Sequence, residues 1–213
     1  MSHRTFRIVD RLIGEIDKAI KVLAAPAHPN RASPAAAGEA PVLEEAERVA
    51  SARLMRVNHS GEVAAQALYQ GQALYASDAT VAGALRQAAA EEMDHLAWCE
   101  QRLRELNGRT SLLNPLWYLG SFAIGAVAGA LGDRTSLGFI AETEKQVEAH
   151  LRSHRQRLPA ADYRSRAIVD QMTHDEVAHG AQAASLGADE LPLLLRSAMR
   201  LTSRVMTRSS YWL

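Results

Sequence analysis

The chain has 213 residues, 47 % of them hydrophobic, with 24 basic and 24 acidic side chains, which suits one domain of ordinary size with a full core and appendages. Its zero net charge gives no general argument for a nucleic-acid partner, and none is assigned. The lone Cys99 excludes an intrachain disulfide and suits a reducing compartment, while few aromatics (5 %) and abundant alanine favour helix over sheet.

Residues 1–23 repeat apolar side chains at Phe6, Val9, Leu12, Ile13, Ile16, Ala19, Ile20 and Leu23, the pattern of an amphipathic helix. Asp10, Glu15 and Asp17 interrupt any hydrophobic run, so the segment is not a signal peptide. Residues 24–43 hold four of the seven prolines among Ala, Ser and Gly, and read as an irregular or mobile linker. His28 reads there as a solvated side chain, and no catalytic residue is assigned to this first part of the chain.

From residue 44 the remainder, 44–213, reads as a helical domain. Its first helix runs to about residue 76, weakened at Gly61 and Gly71 so that a break near Asn58 is expected. Glu62 shares a face with Met55, Asn58, His59, Gln66 and Tyr69. Tyr69 reads as core packing, with a hydrogen-bonding or redox role as the alternative. The second helix, 81–106, stops at Asn107-Gly108. It carries Glu92-Met93-Asp94-His95 inside a stripe formed by Leu85, Ala88, Leu96 and Leu103. Cys99, one turn beyond His95, reads as a small core residue.

Residues 110–132 then run for 23 positions without a charge. Hydropathy alone suggests a membrane span, but a single crossing would leave Glu62 and Glu92 on one side of the bilayer and the acidic residues of the later helices on the other. Asn114-Pro115 also breaks the run. The segment is therefore expected to be a long crossover that meets lipid or shields a greasy substrate, with Gly125, Ala128 and Gly129 leaving a groove for an apolar chain. The alternative is a buried connector whose Gly120, Gly125 and Gly129 allow close helix packing.

The third helix, 136–157, carries Glu144 on a face with Ile140, Thr143, Val147 and Leu151. Glu142 and Glu148 are weaker rivals to Glu144, and His150 and His154 are candidates for outer hydrogen bonding or proton handling. The fourth helix, 161–186, carries Glu176-Val177-Ala178-His179 between Met172 and Ala183 and ends at Gly187. After Glu190 no acidic residue remains. Over 191–213, Arg196, Arg200, Arg204 and Arg208 recur every four positions opposite Leu194, Ala198, Leu201, Val205 and Met206, and the chain closes Tyr211-Trp212-Leu213. Such a helix suits an anionic membrane surface, or else docks on the bundle with a solvated arginine face.

Each Glu-x-x-His pair puts a carboxylate and an imidazole on adjacent turns of a face that should be apolar. An unpaired buried carboxylate costs several kcal/mol or takes up a proton; coordinating a metal satisfies both groups at once. Glu62 precedes Glu92 by 30 residues and Glu144 precedes Glu176 by 32, so the chain reads as two hairpins, each Glu…Glu-x-x-His. That is the ligand pattern of an all-α, ferritin-like four-helix bundle with a di-metal carboxylate site. Glu62, Glu92, His95, Glu144, Glu176 and His179 are the predicted ligands, with Glu92 and Glu176 as bridges. Such donors suit iron or manganese, and the missing thiolates disfavour structural zinc and iron–sulfur clusters. Glu91 and Asp175, each four residues before a histidine ligand, are candidates to accept the second imidazole N–H. Asp94 competes for that role, and His59 is assigned a supporting place rather than ligation.

The runs "RVNHSGEVAAQALYQGQ", "EEMDHLAWCEQRL", "NPLWYLGSFAIGAVAGALGD", "TEKQVEAHL" and "DEVAHG" resemble the demethoxyubiquinone hydroxylase family of ubiquinone biosynthesis, from about Leu54 to the C-terminus. The resemblance implies a di-iron monooxygenase that uses O2 to hydroxylate the ring of a polyprenylated methoxy-methyl benzoquinol, with electrons from an unidentified donor. It places the metal ligands on the same six residues. It also implies a peripheral protein on the cytoplasmic face of a bacterial cell membrane, with other ubiquinone-biosynthesis proteins as partners. An iron-storage bundle would share the ligands without needing the apolar crossover; a non-catalytic membrane scaffold would explain the crossover but not the ligands.

Overall fold

Helix α1 (Ser2–Leu23) carries the N-terminal amphipathic pattern, and its inner edge is fixed where Val22 joins Val63, Ala67, Leu96 and Tyr118. Its Ile13, Ile16 and Ile20 face outward. The computed structural model describes residues 2–35 and 42–213, without the side chains of 2–9, 11 and 12. The apolar positions Phe6, Val9 and Leu12 and linker residues 36–41 thus lie outside the described residues.

The four-helix bundle is built from α2 (Glu45–Ala73), α3 (Ala79–Glu105), α5 (Asp133–Arg157) and α6 (Tyr163–Ser185), and no strand occurs among the described residues. The ends follow ordinary capping chemistry. Asp78 accepts from Thr80 N–H at 2.6 Å to start α3, and Asp162 accepts from Ser165 N–H at 3.0 Å to start α6. Asn107 at φ 52° and Gly187 at φ 91° turn the chain out of α3 and α6. The two apolar layers of the bundle lie on either side of its polar middle. One contains Met55, Trp98, Leu103, Leu151, Ile168 and Met172; the other contains Tyr69, Leu85, Ala88, Leu137, Ile140 and Ala183.

α2 does not break near Asn58. Its Gly71 is instead where the crossover helix α4 (Asn114–Ala130) comes closest: a Cβ at Gly71 would strike the backbone at Phe122 and Ala126. Gly125 and Gly129 meet the α2 backbone at Leu68 and Gln72 in the same way. The expected groove beside Gly125, Ala128 and Gly129 is therefore absent: the main chain of α2 fills the space at the two glycines, and Ala128 is buried against Phe139 and Leu191. Gly120 takes no part, since nothing lies within 4 Å of a Cβ built there. The other face of α4 is also apolar but exposed, with Leu116, Leu119 and Val127 outward. α4 spans only about 25 Å at the usual rise, and no helix among the described residues is long and apolar enough to cross a membrane.

The last helix, α7 (Leu193–Trp212), packs chiefly on α2 and touches α4 and α5 through side chains. Trp117 Nε1 donates to Ser210 Oγ at 3.1 Å near one end, while Leu195 and Met199 pack on the cluster of Ala128, Phe139 and Leu191 near the other. The face that docks is thus the one carrying Leu195, Met199 and Ser210. Leu194, Leu201 and Val205, the stripe that the docked alternative would turn inward, face outward together with Arg204 and Arg208. Arg196 pairs with Glu190 at 3.1 Å, and Arg200 lies 3.9 Å from Glu142.

Candidate metal centre

Four helices each deliver carboxylate or imidazole to the middle of the bundle: α2 brings Glu62, α3 Glu92 and His95, α5 Glu144, and α6 Glu176 and His179. None of the six is more than 6 % exposed. Their oxygens and nitrogens form two overlapping groups, Glu62–Glu92–His95–Glu176 and Glu92–Glu144–Glu176–His179, each with its donor atoms within 4.8 Å of one another. Glu92 and Glu176 belong to both. The structure thereby brings together all six residues predicted to be ligands and puts the two predicted bridges in the middle.

Each imidazole turns the same nitrogen inward. His95 Nδ1 is 3.2 Å from Glu92, 3.5 Å from Glu176 and 3.7 Å from Glu62. His179 Nδ1 is 3.3 Å from Glu92 and 3.4 Å from Glu176. The outward nitrogens meet carboxylates, but across the bundle rather than along the helix. His95 Nε2 faces Asp175 at 2.9 Å, and His179 Nε2 faces Glu91 at 2.8 Å. Glu91 and Asp175 therefore do contact the histidines, each serving the imidazole of the opposite hairpin. The chain order suggested the helix partner; the geometry of antiparallel helices decides otherwise.

The remaining assignments divide clearly. Tyr69, read first as core packing, donates its hydroxyl to Glu144 Oε1. Asp94 points away from both imidazoles and accepts from Arg31. His59 receives the Asn114 amide at 3.3 Å and contacts none of the six, and burial pushes its pKa down to about 4. His150 lies edge-on to His154, ring centroids 3.9 Å apart, and His154 meets Asn58 Oδ1 at 2.6 Å. Both are core histidines held neutral, by burial first, at about 4 and about 2. Glu142 accepts from Gln146, and Glu148 from Arg152. Cys99 is fully buried, and burial raises its thiol pKa well above the usual value.

Four carboxylates in so small a volume need positive charge. Burial, then the charge of Glu92, pushes Glu62 well above the usual carboxylate range, and burial, then Glu176, does the same to Glu144. Burial opposes the charge on His179, but its contacts with Glu176 and Glu92 prevail and carry it up to about 12. Without metal, protons do the neutralising. Yet Glu92 Oε1, Glu176 Oε2 and His179 Nδ1 are buried with no hydrogen-bond partner, all three in the second donor group. Orphaned buried polar atoms that converge on one point fit a cation there. Oxygen-rich donors with one imidazole per group fit iron or manganese.

A small apolar cleft, lined by Leu85, Ala88, Leu137 and Ile140, reaches Tyr69 and His179; its volume of about 10 Å³ is the room of one water molecule.

Residues 49–210 match the family described as ubiquinone biosynthesis protein COQ7. The chain belongs to this family. It is 58 % identical over 204 residues to the 3-demethoxyubiquinol 3-hydroxylase of Chromobacterium violaceum, covering 96 % of this chain and 99 % of that protein. The protein of the same name from Ralstonia pickettii is 55 % identical over 215 residues, covering 96 % and 99 %. That from Azoarcus sp. is 58 % identical over 203 residues, covering 95 % and 98 %. The family resemblance that the motifs carry from about Leu54 onward is thus borne out, and the similarity to these relatives extends beyond it to nearly the whole chain.

Proposed function

We propose that this chain is a 3-demethoxyubiquinol 3-hydroxylase, a monooxygenase that adds a hydroxyl to the ring of a polyprenylated methoxy-methyl benzoquinol. The observation that carries this reading is the convergence of six buried ligands into two groups sharing Glu92 and Glu176, in a chain so similar to hydroxylases of that name. Two ferrous ions bound there would supply electrons for reducing O2, one atom of which goes to the ring and the other to water.

The residues divide the remaining work. Glu62, Glu92, His95, Glu144, Glu176 and His179 would hold the ions, with Glu92 and Glu176 common to both donor groups. Asp175 and Glu91 fix the two imidazoles with Nδ1 inward, and Tyr69 orients Glu144. The cleft at His179 is the ring's route to the site, and Leu85, Leu137 and Ile140 must move aside to admit it. Apolar walls there exclude water from the reacting ring.

The polyprenyl tail keeps the substrate in lipid, which requires the protein at the membrane surface. Supporting this, α4 and α7 both pack on α2 and leave Leu116, Leu119, Val127, Leu194, Leu201 and Val205 exposed. Arg204 and Arg208 on the same helix suit an anionic cytoplasmic leaflet. The reading is a peripheral protein on the cytoplasmic face of a bacterial cell membrane, reduced by a separate electron donor and working beside other ubiquinone-biosynthesis proteins. The test supplies iron-loaded protein with demethoxyubiquinol, a reductant and isotope-labelled O2. One labelled oxygen in the product quinol is expected; oxidation of added iron without labelled quinol would instead make this a ferroxidase.

A further inference from the structure

Residues 27–31, in the stretch between α1 and α2, are strapped along α3. The Ala27 N–H donates to Glu100 at 3.1 Å and the Asn30 N–H to Asp94 at 2.6 Å. Trp98 Nε1 donates to the Arg31 carbonyl at 3.3 Å, and the Arg31 guanidinium stands 4.9 Å from the Trp98 ring centroid. With its backbone so fixed, Arg31 reaches between two helices of the bundle. Its Nε donates to Asp94 Oδ2 at 2.7 Å and its Nη1 to Asp175 Oδ2 at 2.9 Å. That Asp175 oxygen is the one facing His95 Nε2. Both outer carboxylates take an amide hydrogen bond, Glu91 from Gln87 at 3.2 Å and Asp175 from Gln171 at 2.9 Å, but among the described residues no guanidinium shares Glu91 with a second carboxylate as Arg31 shares Asp175.

We propose that Arg31 is a positioning residue of the metal centre, clamping Asp175 onto His95 so that the Glu62–Glu92–His95–Glu176 position is held more rigidly than its duplicate. The physical reason is that Asp94 and Asp175, with side chains 3 % and 8 % exposed, share this guanidinium as a common partner. Without it Asp175 is repelled by Asp94 and keeps the Gln171 amide, at 2.9 Å, on its other oxygen only, so the acceptor that sets the His95 ring is held less firmly. Partners of this kind are worth about 10- to 100-fold in metal affinity. A consequence is that a site built by duplication becomes two-sided. The strap closes the His95 half, and the cleft leads to the His179 half.

The proposal rests on the di-metal reading, and the experiment separates the two. Full-length protein is loaded anaerobically with Fe(II), and release to a colorimetric chelator is followed by stopped flow. Wild type must hold two ions per chain; fewer would overturn the di-metal reading and this proposal with it. In Arg31→Gln one ion should leave about 10-fold or more faster while the other keeps its wild-type rate, so that a one-iron form accumulates. Should that variant fail to fold, Asp94→Asn, which frees one end of the guanidinium, should show the same selective release. Asp170→Asn, which removes an exposed ion pair with Arg155 and leaves the strap and Asp175 untouched, should release both ions at wild-type rates. Unchanged release in Arg31→Gln, equal acceleration of both ions, or the same effect in Asp170→Asn would each overturn the assignment.

Discussion

The seat of α4 on α2 allows a prediction whose sign differs between two glycines of one helix. In Gly125→Ala the new methyl would meet the carbonyl of Leu68, with Leu68 C at 3.0 Å and Cα at 3.1 Å. These are main-chain atoms inside a helix, so no side-chain rotation relieves the clash, and α4 must shift outward along with Tyr118 and Ala128. Overpacking costs about 1–3 kcal/mol, and a clash with main chain that cannot turn aside falls at about 2–3 kcal/mol of that range, while alanine's better helix propensity returns about 1 kcal/mol. The net expectation is a loss of about 1–2 kcal/mol, or a Tm lower by about 2–8 °C for a chain of this size. Gly120→Ala meets nothing within 4 Å, so it should gain up to about 1 kcal/mol. Urea and thermal unfolding followed by circular dichroism read both. A Gly125→Ala protein as stable as wild type, or two variants shifting equally in the same direction, would refute this account of how α4 is seated.

Removing a bridge is expected to be far more damaging than removing a neighbour. Glu92→Ala or Glu176→Ala should abolish hydroxylation and deplete iron, measured by elemental analysis; near-full iron and turnover in either would contradict the bridging role. Replacing the outward Arg204 and Arg208 together by Gln should shift protein from anionic-liposome pellets toward the supernatant, each contributing roughly 1 kcal/mol, whereas Arg196 is already paired with Glu190 at 3.1 Å; binding that is indifferent to these changes and to salt would remove the electrostatic part of the membrane reading. His59 is neutral in the fold, with burial holding its pKa down to about 4, against 6.5 when free. Its contribution is therefore complete above pH 6.5 and lost as pH falls toward 4, by up to about 1.4 kcal/mol per pH unit. Unfolding free energies of wild type and His59→Gln across that range should differ in slope accordingly, and identical slopes would mean the imidazole charges without unfolding the protein.

The bundle and its ligands were legible because they violate a pattern. Glu92, His95, Glu176 and His179 are ionisable groups on stripes otherwise made of Leu, Ile, Met and Ala, and only a shared partner justifies that placement. What the sequence could not show depends on contacts between segments. Glu91 and Asp175 were visible as hydrogen-bonding carboxylates, yet their crossed pairing with His179 and His95 is set by how α3 faces α6. Arg31 sits in a Pro/Ala-rich stretch with no periodicity, and its two carboxylate partners lie 63 and 144 residues away; no local signal distinguishes it from a solvated arginine. Glycines at positions 71, 125 and 129 weaken a helix by propensity, and only the close approach of α4 shows why α2 continues through Gly71. On α7 the apolar residues permit two stripes about a third of a turn apart, and the choice falls to Leu195, Met199 and Ser210 because Phe139, Leu191 and Trp117 stand opposite them.

The central claim is that one set of six side chains holds two metal ions. Crystals of the iron-loaded protein, measured on either side of the iron absorption edge, test it most directly. Two anomalous peaks are predicted inside the bundle, one bonded by Glu62, Glu92, His95 and Glu176 and the other by Glu92, Glu144, Glu176 and His179. A single peak, or iron bound elsewhere with Glu92 and Glu176 unligated, would contradict it.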